Sequence, residues 1–170
     1  TTTSGAFTMN TSNTNSGGWA SCHMRKTVLG ADSSPSSPTA NTLLAALPAD
    51  LRAVMKSVTK YTDNTGNASN TAAAVTATTD YLWLLAEFEI QGARSYANQY
   101  EQNSQAQYDY FKAGNSKIAY KYNDVSTAVW SRGRSASYSS SYSFCTTGTG
   151  GSAYSCSAGS SGAVLAGFAA

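Results

Sequence analysis

The sequence predicts an α+β domain with helices in its first half and an antiparallel β-sheet in its second half. Apolar residues between Leu43 and Val58 recur at steps of three and four, which is typical of amphipathic helices. From Ile118 onward, short runs of Tyr, Ser and Thr are separated by glycine-rich turns, which favours short strands. A chain of 170 residues fits one hydrophobic core. We therefore expect a single domain over residues 1–170 in which the early helices pack on the late sheet.

The first half of the chain predicts one short strand followed by three helices. Clusters of Asn, Ser, Gly and Pro mark the loops between them. Pro48 divides the longest apolar pattern, and because proline is tolerated at the first position of a helix, we expect a helix to begin there. We predict a strand over residues 6–9 and helices over residues 20–29, 39–47 and 48–60. Loops are predicted over residues 10–18 and 32–38.

The second half predicts one buried strand and then a group of short strands. Residues 81–90 are apolar on both faces and rich in aromatic rings, which favours a buried strand with Glu87 and Glu89 on one side. Polar composition predicts a loop over residues 62–70, and a loop with a short helix over residues 100–111. The four late strands are predicted over residues 128–132, 138–146, 152–157 and 163–168.

The amino-acid composition of the last part of the chain is typical of a surface that binds a ligand. From Ser135 to Ala170 the chain contains no charged residue, no Asn, no Gln and no Pro, and consists mainly of Ser, Tyr, Gly, Ala and Thr. Tyrosine gives a large, stiff contact area while Ser and Gly give adaptable hydrogen bonding, which is why antibody paratopes use the same mixture. The charged fraction of 12% is about half the usual one-quarter. These features favour a β-rich extracellular or virion protein that binds a ligand.

The charge pattern argues against nucleic acid and membrane partners. The net charge of +2 comes from scattered Lys and Arg residues, with no basic run that could neutralise several phosphates. No stretch reaches the roughly 18 apolar residues of a membrane span. The chain begins Thr-Thr-Thr without Met, so we expect a processed chain or the C-terminal part of a longer one.

The residue types that carry catalysis are sparse. His23 is the one histidine and has no nucleophile elbow near it, so a structural role is favoured. Glu87 and Glu89 are predicted to form a partly buried structural pair, because no His or Asp cluster completes a metal site. A hairpin could join Cys145 and Cys156 in a disulfide, although buried free thiols are favoured. We expect no catalytic residue, no metal and no cofactor.

Seven segments distributed over most of the chain form a specific pattern when they are taken together. They are GGWASCHMR (17–25), LPADLRAVMKSVTK (47–60), LWLLAEFEI (82–90), YFKAGNSK (110–117), WSR (130–132), FC (144–145) and GAVLAGF (162–168). With this combination the chain resembles a family of bacterial and phage domains of unknown function that have a C-type-lectin-like fold and are related to formylglycine-generating enzymes.

The resemblance implies a C-type-lectin-like fold with a binding face over residues 132–161. Some similar proteins are variable proteins of diversity-generating retroelements, where randomised Asn codons never yield Lys, Glu, Gln, Met or Trp. None of these five residue types occurs from Arg132 to Ala170. The calcium motifs of lectins are missing from the sequence, so no calcium is expected. Related enzymes use reactive cysteines, but Cys145 and Cys156 have no adjacent cation, which argues against thiol catalysis.

We therefore expect a non-enzymatic receptor-binding display domain of a phage tail fibre or a bacterial surface adhesin. Its partner is expected to be a host or bacterial surface protein or glycan, and the protein is expected to be a homo-oligomer, with a trimer as one form. The expected ligand contacts lie on the late Ser/Tyr-rich face: Arg134, Ser137, Tyr138, Ser140, Tyr142, Tyr154, Ser155, Ser157 and Ser160. The alternative is a decoration protein of a virion or filament that uses the same face for subunit contacts.

Other large side chains are expected to have structural roles. Arg132 is predicted to pair with Glu87 or Glu89, while Arg134 is balanced between a structural role and contact with a carboxylate or phosphate of the partner. Core packing is predicted, rather than stacking on sugars, for the three tryptophans: Trp19, Trp83 and Trp130.

Overall fold

The computed structural model describes residues 6–121 and 124–170 and shows mixed helix and sheet with mainly antiparallel strand pairing. The helices are short: α1 Gly18–Ser21, α2 Leu43–Ala46, α3 Ala49–Val54, α4 Glu87–Gln91 and α5 Asp109–Lys112. A π-helix covers Met24–Leu29, and 3-10 helices cover Ala72–Ala74 and Gln99–Ser104. The α+β class is therefore confirmed.

The strands form one larger sheet and three two-stranded sheets. They are β1 Ala6–Phe7, β2 Val58–Asp63, β3 Val75–Asp80, β4 Trp83–Leu84, β5 Ala119–Lys121, β6 Asp124–Val129, β7 Ser131–Ala136, β8 Ser143–Thr147, β9 Ala153–Ser157, β10 Gly162–Ala163 and β11 Ala166–Gly167. The five-stranded sheet has the order β1-β10-β7-β8-β9, and its β10–β7 pair is parallel. The small sheets are β11-β4, β2-β3 and β5-β6. The β2–β3 hairpin was not predicted, since residues 48–60 were expected to form a helix and residues 62–70 a loop.

The core lies where α1 and the π-helix meet the central strands. Trp19 and Leu84 are fully buried there, and Trp83 is nearly so. The indole Nε1 of Trp19 donates to Asp80 Oδ2 at 3.0 Å, and Arg25 Nε donates to Asp80 Oδ1 at 2.7 Å. Buried charges need such paired partners. The predicted core role is thus confirmed for two of the three tryptophans.

The helix predicted from Pro48 to Lys60 ends early. Helix α3 stops at Val54, and Met55 adopts extended backbone. The next residues enter β2, where Val58 pairs with Asp80 and Lys60 pairs with Thr78 on β3. Strand pairing over the whole length of β2 overrides the helical spacing of the apolar residues, since tertiary contacts routinely outweigh local propensity.

The strand predicted over residues 81–90 is wrong in its second half. Only Trp83–Leu84 pair as a strand, with Gly167 and Ala166 of β11. The chain then turns into α4, because Glu89 Oε2 accepts the N–H of Ala86 at 2.9 Å and so satisfies a free donor at the helix start. Gly92, with φ of 70°, ends the helix in the left-handed conformation that favours glycine.

The late strands differ from the prediction at their ends. The strand predicted over 128–132 is interrupted at Trp130, and residues 138–142 form a turn rather than the start of the strand predicted over 138–146. Residues 163–168 give two short strands in different sheets instead of one. The strand predicted over 152–157 is confirmed as β9.

Candidate binding site: an aromatic face

An exposed group of rings lies beside the β8–β9 hairpin. Trp130 is 38% exposed and Tyr154 is 50% exposed. Their rings meet edge to face with centroids 4.9 Å apart, and the ring of Tyr96 stacks on that of Tyr154 with a centroid distance of 6.4 Å. We call the following residues the aromatic face: Arg94, Tyr96, Trp130, Tyr138 and Tyr154.

The backbone beneath these rings leaves little room for a side chain. A Cβ added at Gly148 would lie 3.3 Å from Cζ3 of Trp130 and 3.6 Å from Cδ2 of Tyr154. Gly148 begins the turn between β8 and β9, where its N–H donates to the carbonyl of Ser152 at 2.9 Å. Because Gly148 has no side chain, the two rings can pack closely against the hairpin. Their edge-to-face geometry is one that aromatic pairs prefer.

A buried carboxylate holds the loop that carries Tyr96. Glu87 on α4 accepts N–H donors from Ser95 at 2.7 Å, Tyr96 at 3.0 Å and Ala97 at 2.6 Å. Hydrogen bonds to an ionised acceptor are the stronger kind. Glu87 is only 5% exposed, so its three backbone partners replace the water it has lost. The position of Tyr96 is fixed from inside the protein.

The same loop is joined to the end of β7. The N–H of Tyr138 donates to the carbonyl of Tyr96 at 2.8 Å, and Ala97 forms an isolated bridge with Ser137. The guanidinium of Arg94 lies 4.9 Å from the centre of the Tyr138 ring, within the range of a cation–π contact. The aromatic face is thus continuous from Trp130 to Tyr138.

The cysteines are free thiols, so the favoured prediction over a Cys145–Cys156 disulfide is confirmed. Burial raises the pKa of Cys145 well above its ordinary value, and the Glu87 carboxylate raises it further. Burial likewise raises the pKa of Cys22 to about 12. Cys145 and Cys22 therefore remain protonated and unreactive at neutral pH.

Most of the expected ligand contacts lie at three places on or near the surface. Tyr138 and Tyr154 belong to the aromatic face, and Ser155 is half-buried next to Tyr154 on β9. Tyr142, 61% exposed, lies apart from them in the β7–β8 turn. Ser140 shapes that turn, since its Oγ accepts the N–H of Tyr142 at 3.1 Å.

A further corner holds the remaining expected serines. Ser157 Oγ donates to Asn13 Oδ1 at 2.6 Å, and Ser160 is exposed in the turn that follows β9.

The turn between β7 and β8 is held by Asn15, whose side-chain amide donates to the carbonyls of Ser140 at 2.7 Å and Ser143 at 2.8 Å. Asn15 lies in a loop of Asn, Thr, Ser and Gly, where no sequence signal distinguished it.

Two expected ligand contacts lie inside the protein. Arg134 is fully buried, and Ser137 is 1% exposed. Arg134 Nη1 donates to Glu89 Oε2 at 2.5 Å and Nη2 donates to Glu89 Oε1 at 2.9 Å. The prediction of ligand contact is wrong for both residues, because β7 is covered on both faces.

The ion pair predicted for Arg132 is also wrong. Its Nη2 donates to the carbonyls of Ser157 and Ser160, and among the described residues it has no carboxylate partner. Burial lowers the pKa of this guanidinium. β7 does form a buried ion pair with α4, but the arginine that pairs with Glu89 is Arg134 and not Arg132.

The prediction that Trp130 packs in the core is wrong. Its place between β6 and β7 turns the ring outward, against Tyr154. Sequence reasoning also missed Arg94 and Tyr96, which precede the late Ser/Tyr-rich segment. A signal for them existed in Glu87, whose carboxylate in an apolar stretch needed donors from a nearby loop.

The part of the chain that the structure covers contains no group of three His, Cys, Asp or Glu side chains that could hold a metal ion. Across residues 6–121 and 124–170, no helix has both the length and the apolar character needed to cross a membrane.

A family described as Domain of unknown function (DUF6273) matches residues 5–164. No curated protein and no solved structure matches the chain.

Proposed function

This chain belongs to the DUF6273 family, and we propose that it is a non-enzymatic binding domain that recognises its ligand through the aromatic face. The observation that carries the proposal is the exposure of Trp130 and Tyr154, two large rings packed against each other and open to solvent. Exposed apolar groups that form a patch commonly mark interaction sites.

The rigidity of the aromatic face supports recognition. Glu87 fixes the Tyr96 loop from below, and Gly148 seats the Trp130 ring on the hairpin. A surface that is already ordered loses little entropy when it binds. Tyr and Trp add contact area at low entropic cost, and Arg94 adds donors for a polar or anionic group. This chemistry suits a surface glycan or a surface protein.

We further propose a C-type-lectin-like fold for the domain and a place on a phage tail fibre or a bacterial surface, in a homo-oligomer. The resemblance of the seven sequence segments supports this, and mixed helices and antiparallel strands are compatible with it. Variation is proposed only for exposed positions within residues 132–161. Tolerance across the whole segment is not expected, since Arg134 and Phe144 are fully buried.

The direct test is a binding screen with the purified domain. Fluorescently labelled protein would be applied to a glycan array and to intact bacterial cells, as wild type, as Trp130→Ala and as the control Tyr110→Ala. Tyr110 is 58% exposed on α5, outside the aromatic face. We expect wild type and the Tyr110 variant to bind alike and the Trp130 variant to lose signal. Equal binding by all three would exclude the aromatic face.

Sequencing of the locus across a clonal population tests the proposed variability. Substitutions at exposed positions such as Tyr142, Tyr154 and Ser160, with none at Arg134, would support a diversified receptor-binding domain. A uniform locus would favour a fixed adhesin and would leave the binding screen as the separate test of the aromatic face.

A further inference from the structure

A cavity of about 390 Å³ opens between β2, α4 and the segment that leads into α5. It does not include any residue of the aromatic face. Its walls include Lys60 on β2, Glu89 on α4 and Arg134 on β7, together with Tyr108 and Asp109. This volume is in the range of small-molecule sites.

The floor of the cavity is a buried charge cluster. Arg134 binds Glu89 through two nitrogens, and Lys60 Nζ lies 3.2 Å from Glu89 Oε1. The side chains of Lys60, Glu89 and Arg134 are 13%, 6% and 0% exposed. Two cations therefore share one carboxylate, and the cluster keeps an excess of one positive charge.

Neighbouring acidic groups do not cancel this excess completely. Burial raises the pKa of Glu101 to about 7, although the N–H of Asp63 and the hydroxyl of Ser135 favour its charged form. Glu101 is therefore partly protonated at neutral pH. Asp109 lies at the exposed rim, where solvent screens its charge.

Lys60 and Tyr108 both keep a donor that no described residue uses. The Lys60 ammonium donates to Glu89 and, at 2.9 Å, to the Tyr108 hydroxyl, while an ammonium has three donors. The Tyr108 oxygen accepts from Lys60 and from Trp83 Nε1 at 3.3 Å, so its own proton is free to be donated. Lys60 is held by the faces of both rings, 4.5 Å from that of Trp83 and 5.4 Å from that of Tyr108.

We propose that this cavity binds a small organic carboxylate, with its carboxylate group on the free donors of Lys60 and Tyr108. The positive excess of the charge cluster selects an anion over a neutral molecule. The site is independent of the aromatic face, so either proposal can fail alone.

The test uses two small probes of closely similar size, lactate and lactamide. Lactamide keeps the hydroxyl group of lactate but lacks the negative charge. Binding would be followed by amide chemical-shift changes in nuclear magnetic resonance spectra of the full chain. We expect saturable shifts with lactate near Lys60 and Tyr108, and affinity weaker by about tenfold for lactamide, which matches the loss of one charge-assisted hydrogen bond.

Variants assign the binding to the cavity. Lys60→Met and Tyr108→Phe should each weaken lactate binding by about tenfold. The matched control is Lys117→Met, which removes a lysine bound to the Gln91 side chain at 3.0 Å outside the cavity and should leave lactate binding unchanged. Should Lys60→Met fail to fold, Tyr108→Phe removes a single oxygen and carries the test. Absence of saturable shifts, equal binding of lactate and lactamide, or an equal loss in the Lys117 variant would overturn the proposal.

Discussion

The rings of Trp130 and Tyr154 meet edge to face with their centroids 4.9 Å apart, while both remain open to solvent. Trp130 stands at the junction of β6 and β7, and Tyr154 lies on β9 opposite Thr146. The pair therefore joins the edge strand β9 to the chain that enters the centre of the five-stranded sheet.

Replacing Gly148 with Ala should disturb this pair without unfolding the protein. The new Cβ would press on the Trp130 ring at 3.3 Å and must shift it by a few tenths of an ångström. We expect a changed Trp130 fluorescence signal and weaker ligand binding. Gly150→Ala is the matched control in the same turn, because nothing lies within 4 Å of its added Cβ. Identical spectra and binding for the two variants would contradict the role given to Gly148.

Replacing Glu87 with Gln should loosen the loop that carries Tyr96. The amide keeps the shape of the side chain but loses the charge that three N–H groups share. Hydrogen bonds to charged groups contribute about 1.5–3 kcal/mol, so we expect a loss of roughly 2 kcal/mol in the free energy of unfolding. Urea denaturation measures that loss, and hydrogen exchange at Ser95 and Ala97 should accelerate.

The exposed carboxylate Asp109 gives the control for that substitution. Asp109→Asn should change the free energy of unfolding by less than about 0.5 kcal/mol. A Glu87 variant with stability and exchange rates like those of the Asp109 variant would show that the buried carboxylate does not order the loop.

The two arginines of β7 should respond very differently to substitution by Met. Arg134→Met leaves the buried Glu89 carboxylate with Lys60 as its one cationic partner among the described residues, and breaking a buried ion pair costs about 3–5 kcal/mol. Arg132→Met leaves no carboxylate unpaired among the described residues, and it also removes Nε and Nη1 donors that have no partner. We therefore expect Arg132→Met to lower the free energy of unfolding by clearly less than Arg134→Met does. Thermal and urea unfolding of both variants give the comparison, and a larger loss for Arg132 would contradict the charge assignment.

Stability should fall as pH rises from 5 to 8 because of Glu101. Its folded pKa of about 7 lies above the ordinary value of 4.5, so the folded state binds more protons than the unfolded state between these values. The contribution of Glu101 to the free energy of unfolding is complete below pH 4.5 and is lost as the pH rises past 7. A shift of this size corresponds to roughly 3 kcal/mol.

Urea unfolding at several pH values measures this slope. Glu101→Gln should flatten it, whereas the exposed Asp50→Asn should keep it. Burial opposes ionisation of Glu89, but Arg134 and Lys60 hold the pKa of its carboxyl below the usual value. Glu89 therefore stays ionised above pH 5, and the slope measured there does not include its titration. Stability that rises between pH 5 and 8 would contradict the placement of Glu101.

The fold class followed from patterns that local physics controls. The helix at α3 and strand β9 were predicted correctly because apolar spacing and glycine turns act over a few residues. The end of α3 was missed because Val58 to Lys60 pair with a strand that begins about 15 residues later. Such pairing is invisible to a local pattern.

The candidate site could be predicted only in part. Composition pointed to Tyr138 and Tyr154, since these residue types suit recognition wherever they are exposed. It could not separate Arg134 from Arg132, because both lie on β7 and only their contacts in the folded protein differ: Arg134 reaches Glu89, whereas Arg132 reaches the carbonyls of Ser157 and Ser160. Arg94 and Tyr96 join the face through backbone bonds to Glu87 and Tyr138, which composition does not encode.

The central claim, that the aromatic face binds the ligand, is tested most directly by hydroxyl-radical footprinting of the domain with and without a glycan or cell type that the binding screen identifies. The account predicts lower oxidation of Trp130 and Tyr154 in the complex and unchanged oxidation of Tyr110 and Tyr120, which are similarly exposed elsewhere. Protection of Tyr110 and Tyr120 with Trp130 and Tyr154 unchanged would contradict it.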